Sequence, residues 1–325
     1  MRFNLLFITL GSIWLLIQSC DSPANNAVEE KAPVSNTVTA VSDSPVTEEV
    51  SLRSRSAGPT FPYNLKEPDQ KVKLPKDLEE ISALSYVKKN ELVAVQDEKG
   101  KIFRIDLKKE EIIDDIKFGP RGDYEGIELV GKDAWVLQSD GVLHRVEDWQ
   151  KEDPVTEKIP TGLAARNDTE GLGMSADGKL LIACKASSKL GEKKYKGKAI
   201  YAFDLNTTQL DPTPFLLINF DELEKPSEDP VTRFSENLIK ALDPDINFQP
   251  SGIARHPQTG HYYIIASAGQ VLVVVDESNE VLFVEKLPKK VFKQPEGICF
   301  SPKGELFISN EGVGGKGNVL RFQAK

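Results

Sequence analysis

The chain has 325 residues, with 41 Lys and Arg against 50 Asp and Glu, for a formal net charge of −9. That sign argues against nucleic acid as a general partner, since a phosphate backbone is met by basic surface. Only three cysteines are present and none has zinc-ligand spacing, so neither a disulfide framework nor a structural zinc site is expected.

Residues 1–19 read as a targeting segment. Arg2 gives a positive start, and Leu5 to Ile17 is an apolar run too short for an ordinary membrane span. The run ends in Ile17-Gln18-Ser19-Cys20, which resembles a bacterial lipobox with an atypical Gln18. Cys20 is then the lipidation site and the mature N-terminus; an ordinary cleaved signal or an uncleaved anchor is the other reading. Acyl chains on Cys20 would hold the protein to a bacterial membrane, outside the cytoplasm. Residues 20–60 have no aromatic side chain and are rich in Ser, Thr, Pro, Ala and Glu, so they read as a disordered tether. As a random coil it would reach on the order of 35 Å.

Residues 61–325 carry an internal repeat. Its copies are Glu80-Ile81-Ser82-Ala83-Leu84, Asp123-Tyr124-Glu125-Gly126-Ile127, Asp168-Thr169-Glu170-Gly171-Leu172, Gln249-Pro250-Ser251-Gly252-Ile253 and Gln294-Pro295-Glu296-Gly297-Ile298. Measured at the Ser/Glu position, the copies are 43, 45, 81 and 45 residues apart. Periods near forty-five with strand-like content mark β-propeller blades. Each copy opens a hairpin that is followed by a third apolar strand, and in the first four copies by a fourth, with turns such as Asp177-Gly178 and Lys303-Gly304.

The last copy lacks a fourth strand, and Lys73-Leu74-Pro75-Lys76 before the first motif matches Lys286-Leu287-Pro288-Lys289 before the last. The stretch ending at Leu74 is therefore expected to complete the final blade and close a ring of five. Six blades is the rival count, because the 81-residue gap approaches two periods. Five is preferred because a long hairpin tip over Ser187 to Lys198 and a helical insertion over Asp221 to Asp245 use up the excess. The insertion opens at Asp229-Pro230, a good helix start, with Val231, Phe234, Leu238 and Leu242 on one stripe. The hairpin tip is rich in Lys, which reads either as a solvated tip or as a surface for anionic headgroups.

The first strand of a blade lines the central axis, so equivalent motif positions converge there. Ala83, Gly126, Gly171, Gly252 and Gly297 answer the crowding. Ser82, Glu125, Glu170, Ser251 and Glu296 precede them, which directs three carboxylates at a narrow channel. At about 5 Å separation and an effective dielectric near 20, each pair repels by roughly 3 kcal/mol. Either a glutamate is protonated or a cation sits among Glu125, Glu170 and Glu296. With oxygen ligands alone, that cation would be Ca²⁺. The alternative is structural, each Glu locking blade to blade through the backbone. Asp123, Asp168, Gln249 and Gln294 lie two residues earlier, as outer partners or loop caps.

The run of five motifs in this order, with Gly304-Glu305-Leu306-Phe307-Ile308-Ser309-Asn310-Glu311 and Leu320-Arg321-Phe322, resembles the SdiA-regulated (YjiK-like) family of bacterial envelope proteins over about Lys66 to Lys325. The resemblance implies a five-bladed propeller outside the cytoplasm, with room for a central metal. It implies little about a reaction. The lipobox, basic hairpin and insertion depart from the family, so a partner is not carried over.

Gly173-Met174-Ser175-Ala176-Asp177 falls short of a nucleophile elbow, and Gly312 to Gly317 falls short of a phosphate loop. His144, His256 and His261 have no evident shared partner, Trp135 and Trp149 read as blade packing, and Cys184 and Cys299 as buried thiols. Two functional readings follow. One is a membrane-tethered, calcium-containing binding or scaffold protein for a protein or small-molecule ligand. The other is a metal-dependent hydrolase of esters, lactones or phosphoesters at the channel mouth.

Overall fold

The computed structural model describes residues 61–219 and 247–325. The signal segment, Cys20, the tether and the insertion expected over Asp221 to Asp245 lie outside those residues. Each repeat becomes one antiparallel sheet. Blade one orders Ile81–Lys88, Glu91–Gln96, Lys101–Asp106 and Glu111–Lys117, from the axis outward. Blades two to five start from inner strands Tyr124–Val130, Thr169–Met174, Gln249–Arg255 and Pro295–Phe300. Blade three is irregular at its rim, where Lys198–Asp204 pairs with both Gln209–Leu210 and Leu216–Ile218. The expected long hairpin tip precedes Lys198, and Leu190 bridges Lys193 within it.

The ring closes as the repeat arithmetic requires. Gln70–Lys73 pairs antiparallel with Asn318–Phe322, placing Val72 opposite Val319. The first described strand is thus the outer strand of the last blade, which covers an edge that would otherwise be open.

No single core exists. Five buried clusters each join two neighbouring blades. Val93, Val95 and Ile102 of blade one pack with Ile127 and Val136 of blade two. At the closure, Val72, Leu74 and Phe307 pack with Leu84 and Leu92. Phe61, Tyr63 and Leu65 cap the seam between blades four and five. There the Tyr63 hydroxyl donates to the Gly304 carbonyl at 2.7 Å and lies 3.0 Å from His256 Nε2. Trp135 and Trp149 are buried in the two seams flanking blade two. Cys184 and Cys299 are buried free thiols. Among the described residues no helix is long and apolar enough to cross a membrane.

The small residue of the repeat meets the next blade directly. A Cβ added to Gly171 would lie 3.2 Å from the Gly252 backbone, one added to Gly252 would lie 2.5 Å from the Glu296 carbonyl oxygen, and one added to Gly297 would lie 2.9 Å from Ala83 Cα. Inner strands therefore touch in a circle, backbone to backbone. Overpacking such a contact costs about 1–3 kcal/mol. Gly252→Ala is expected to lower stability by about 2 kcal/mol in urea unfolding; an unchanged midpoint would show that the ring has slack.

Candidate functional site

The repeat motif encodes a β-bulge. In all five inner strands the pairing register slips at the Ser/Glu position: between Ile81 and Ala83, Tyr124 and Gly126, Thr169 and Gly171, on both sides of Pro250, and between Pro295 and Ile298. A bulge leaves one residue unpaired and re-aims its side chain. Here it gathers Ser82, Glu125, Glu170, Ser251 and Glu296 at one mouth of the channel.

The three glutamates act on one another, as the sequence requires. Burial, then Glu170, pushes the Glu125 carboxyl up to about 10, with a hydrogen bond to Asp123 and the charges of Asp123 and Glu296 adding to the shift. Glu296 is pushed up to about 8 by burial and by Glu170 and Glu311, although hydrogen bonds from Gln294 and Ser267 favour its charge. Glu170 is pushed up to about 7, chiefly by burial, with Lys185 pulling the other way. Around them, burial and neighbouring acids raise Glu311 to about 7 and Asp97 to about 6. At pH 7 the mouth therefore holds several protonated carboxyls.

Lys185 is the residue that sequence reasoning missed. Its ammonium donates to Glu170 Oε1 and lies 3.9 Å from Asp168. Burial works against its charge, but Glu170 outweighs that and holds its pKa above the ordinary value. The local backbone fixes it there. Asp168 takes a left-handed φ of 51°, and its carbonyl accepts from the Lys185 amide at 2.9 Å. Asn167, fully buried, accepts from the Ala164 amide and donates to the Ser187 and Lys189 carbonyls at 2.8 Å. Lys198 Nζ donates to the Lys185 carbonyl. The signal lay in the register: Lys185 directly follows the second strand of its blade, where blade one has Asp97 and blade five has Glu311.

The serines and glutamates divide the two roles expected of the motif. Ser251 is the blade lock, donating across the seam to the Pro295 carbonyl at 2.9 Å. Gly297 N donates to Ser309 Oγ at 2.8 Å within its blade. The glutamates instead engage side chains, namely Asp123, Lys185, Gln294 and Ser267. Among the outer partners, Asp123 accepts from Ser139 Oγ, Gln294 Nε2 donates to Glu311 at 2.6 Å, and Gln249 donates to Asn247 at 3.1 Å. The donor chemistry suits a hard cation. Among the described residues, however, no three His, Cys, Asp or Glu side chains are grouped to hold a metal ion, and Lys185 already brings positive charge.

The remaining candidates are structural. Ser175 Oγ bonds Asp177 Oδ1 at 2.5 Å inside a hairpin turn. His144 is buried against Phe118 and Tyr124, and burial pushes it down to about 4. His256 is spent on Tyr63.

No family model and no curated protein matches the chain. Solved structures do. Glutaminyl cyclase of Myxococcus xanthus superposes with a TM-score of 0.51 at 12% identity, over 79% of this chain and 95% of that one. A luciferin-regenerating enzyme gives 0.46 at 13% identity, covering 82% and 96%. A streptogramin B lyase gives 0.44 at 12%, covering 78% and 97%. The chain is a five-bladed β-propeller. At these identities the likeness is one of fold, and the activities belong to those proteins.

Proposed function

We propose that this propeller is a binding or scaffold protein of the SdiA-regulated type, lipid-anchored through Cys20 and held in the bacterial cell envelope outside the cytoplasm. The observation that carries the binding reading is the neutralisation of the channel mouth from within. Its bulged carboxyls are engaged by Lys185, Gln294, Ser267 and a hydrogen bond between Glu125 and Asp123, an arrangement suited to holding a shape. The lipobox supports the anchoring, and the motif order supports the family.

Calcium enters this proposal as a competitor of Lys185. To join Glu125, Glu170 and Glu296, the ion would have to displace the ammonium from Glu170 and release protons from the other two. Its ligation would therefore strengthen with rising pH. Metal analysis of the purified protein, with melting curves in EDTA and in added Ca²⁺, reads this directly.

Two outcomes test the rest. Cys20→Ser is expected to move the protein from the membrane fraction to the soluble fraction and to abolish labelling by radioactive palmitate; retention on the membrane would remove the anchor. A screen with ester, lactone and phosphoester substrates is expected to show no turnover that depends on Glu125. Hydrolysis lost on Glu125→Gln would replace the binding reading with the hydrolase.

A further inference from the structure

The other end of the inner strands holds a second ring of equivalent positions, three residues beyond the bulges. It consists of Ser85, Glu128, Gly173, Ala254 and Cys299. Four of the five are small and neutral, and the space they leave is a pocket of about 320 Å³. All five blades line it, with Tyr86, Met174, Arg255 and Phe300 around the ring. One acid, Glu128, interrupts the series.

Glu128 keeps part of its surface open to this pocket, yet protein surrounds it. Its partners are the Ser85 hydroxyl, which donates at 3.4 Å, and the Leu129 amide. Among the described residues it forms no ion pair. Arg255 at the rim is paired with Glu277 at 3.5 Å. The other ionisable groups around it are Tyr86 and Cys299, both neutral at pH 7, with burial raising each further above its ordinary value. Burial pushes Glu128 itself up to about 7.

A carboxylate enclosed without a cation is costly, and packing alone does not call for it where the other blades place Ser, Gly, Ala and Cys. The cost is recovered if the missing cation arrives with a ligand. Tyr86, Met174 and Phe300 offer an apolar wall that includes two aromatic rings, a side-chain type that attracts positive charge. Sites of this kind combine apolar lining with few convergent polar groups.

We propose that this pocket binds a small amphiphilic amine, its ammonium on Glu128 and Ser85 and its apolar body against Tyr86, Met174 and Phe300. The site is separate from the acidic mouth and does not rest on the function proposed for it. The amine stays protonated below about pH 9. Binding then requires the ionised carboxylate, so it weakens as pH falls below 7 and releases a proton there.

Calorimetric titration of the full-length protein with benzylamine tests this, with benzyl alcohol as the uncharged probe of the same shape. Saturable benzylamine binding is expected at pH 8, about thirtyfold weaker at pH 5.5 and at least about tenfold weaker in Glu128→Gln at pH 8. Benzyl alcohol is expected to bind at least about tenfold more weakly. The proposal is overturned by absent benzylamine binding, by equal binding of the alcohol, or by undiminished binding to a Glu128→Gln protein whose melting curve matches the wild type. Because the alcohol comparison uses wild-type protein, it decides the matter even if the variant does not fold.

Discussion

Lys185→Met is expected to destabilise the propeller by about 3 kcal/mol at pH 8. Removing one partner of a buried pair costs about 3–5 kcal/mol. The lower end applies because the Lys185 side chain is 35% exposed and partly screened. The variant keeps the side chain's length and apolar stem but leaves Glu170 beside Glu125, Glu296 and Asp168 with no counter-charge. The loss depends on pH, and its direction is fixed. Glu170 titrates at about 7 in the folded state against an ordinary 4.5, so its protonated form contributes stability that is complete below 4.5 and is lost as pH rises through 7. Without Lys185 the folded value moves higher and the loss extends further upward. The deficit is therefore expected to shrink to about 1 kcal/mol at pH 5, where Glu170 is neutral. Urea unfolding at the two pH values measures it. A deficit that is the same at both would mean that Lys185 acts through packing. Adding Ca²⁺ to the variant completes the test: a rise in melting temperature absent from the wild type would establish competition between ion and ammonium. No rise in either would remove calcium from the mouth.

Glu125→Gln is expected to do the opposite. Glu125 is the most strongly shifted acid of the mouth, with burial and Glu170 holding its carboxyl up to about 10. Its raised folded value makes it a stabilising group below 4.5 and a progressively destabilising one as pH climbs toward 10. Gln copies the protonated form and cannot ionise. At pH 5 the variant should match the wild type within about 0.5 kcal/mol. At pH 9 it should be more stable by about 3 kcal/mol, a rise of roughly 6–10 °C in melting temperature for a domain of this size. The wild type should lose stability steadily from pH 5 to 9, since Asp97, Glu170, Glu311 and Glu296 are shifted in the same direction. A wild-type profile flat over that range would mean that water in the channel solvates these carboxylates in their charged forms.

Periodicity made the fold legible. The five motifs gave the blade count, the match of Lys73-Leu74-Pro75-Lys76 to Lys286-Leu287-Pro288-Lys289 gave the closing strand, and Gly171, Gly252 and Gly297 gave the contact between inner strands. Repulsion among Glu125, Glu170 and Glu296 was equally legible, because equivalent positions of a ring must converge. What answers that repulsion was not. Lys185 lies outside the motif, directly after the next strand, and reaches Glu170 through a register that only strand pairing fixes. The bulge was hidden for the same reason, since an unpaired residue is defined by the partner strand it fails to meet. Glu128 was overlooked because it stands beyond the conspicuous motif, although the same repeat, read three residues later, displays it among small neutral side chains.

The pairing of Gln70–Lys73 with Asn318–Phe322 also sets a clock on biosynthesis. Blades one to four can form as they are made, since each is a meander of neighbouring strands. The fifth cannot be completed until Asn318–Phe322 has been synthesised, and the strand that waits for it, Gln70–Lys73, was among the first of the domain to be produced. Until then Val72 and Leu74 have no seam to enter, and the outer edge of Asn318–Phe322 is bare once made. A ring joined at such sequence separation bears a high loop-closure cost and folds late. During that interval the half-made ring presents two unpaired edges, which is when a chaperone would have most to protect.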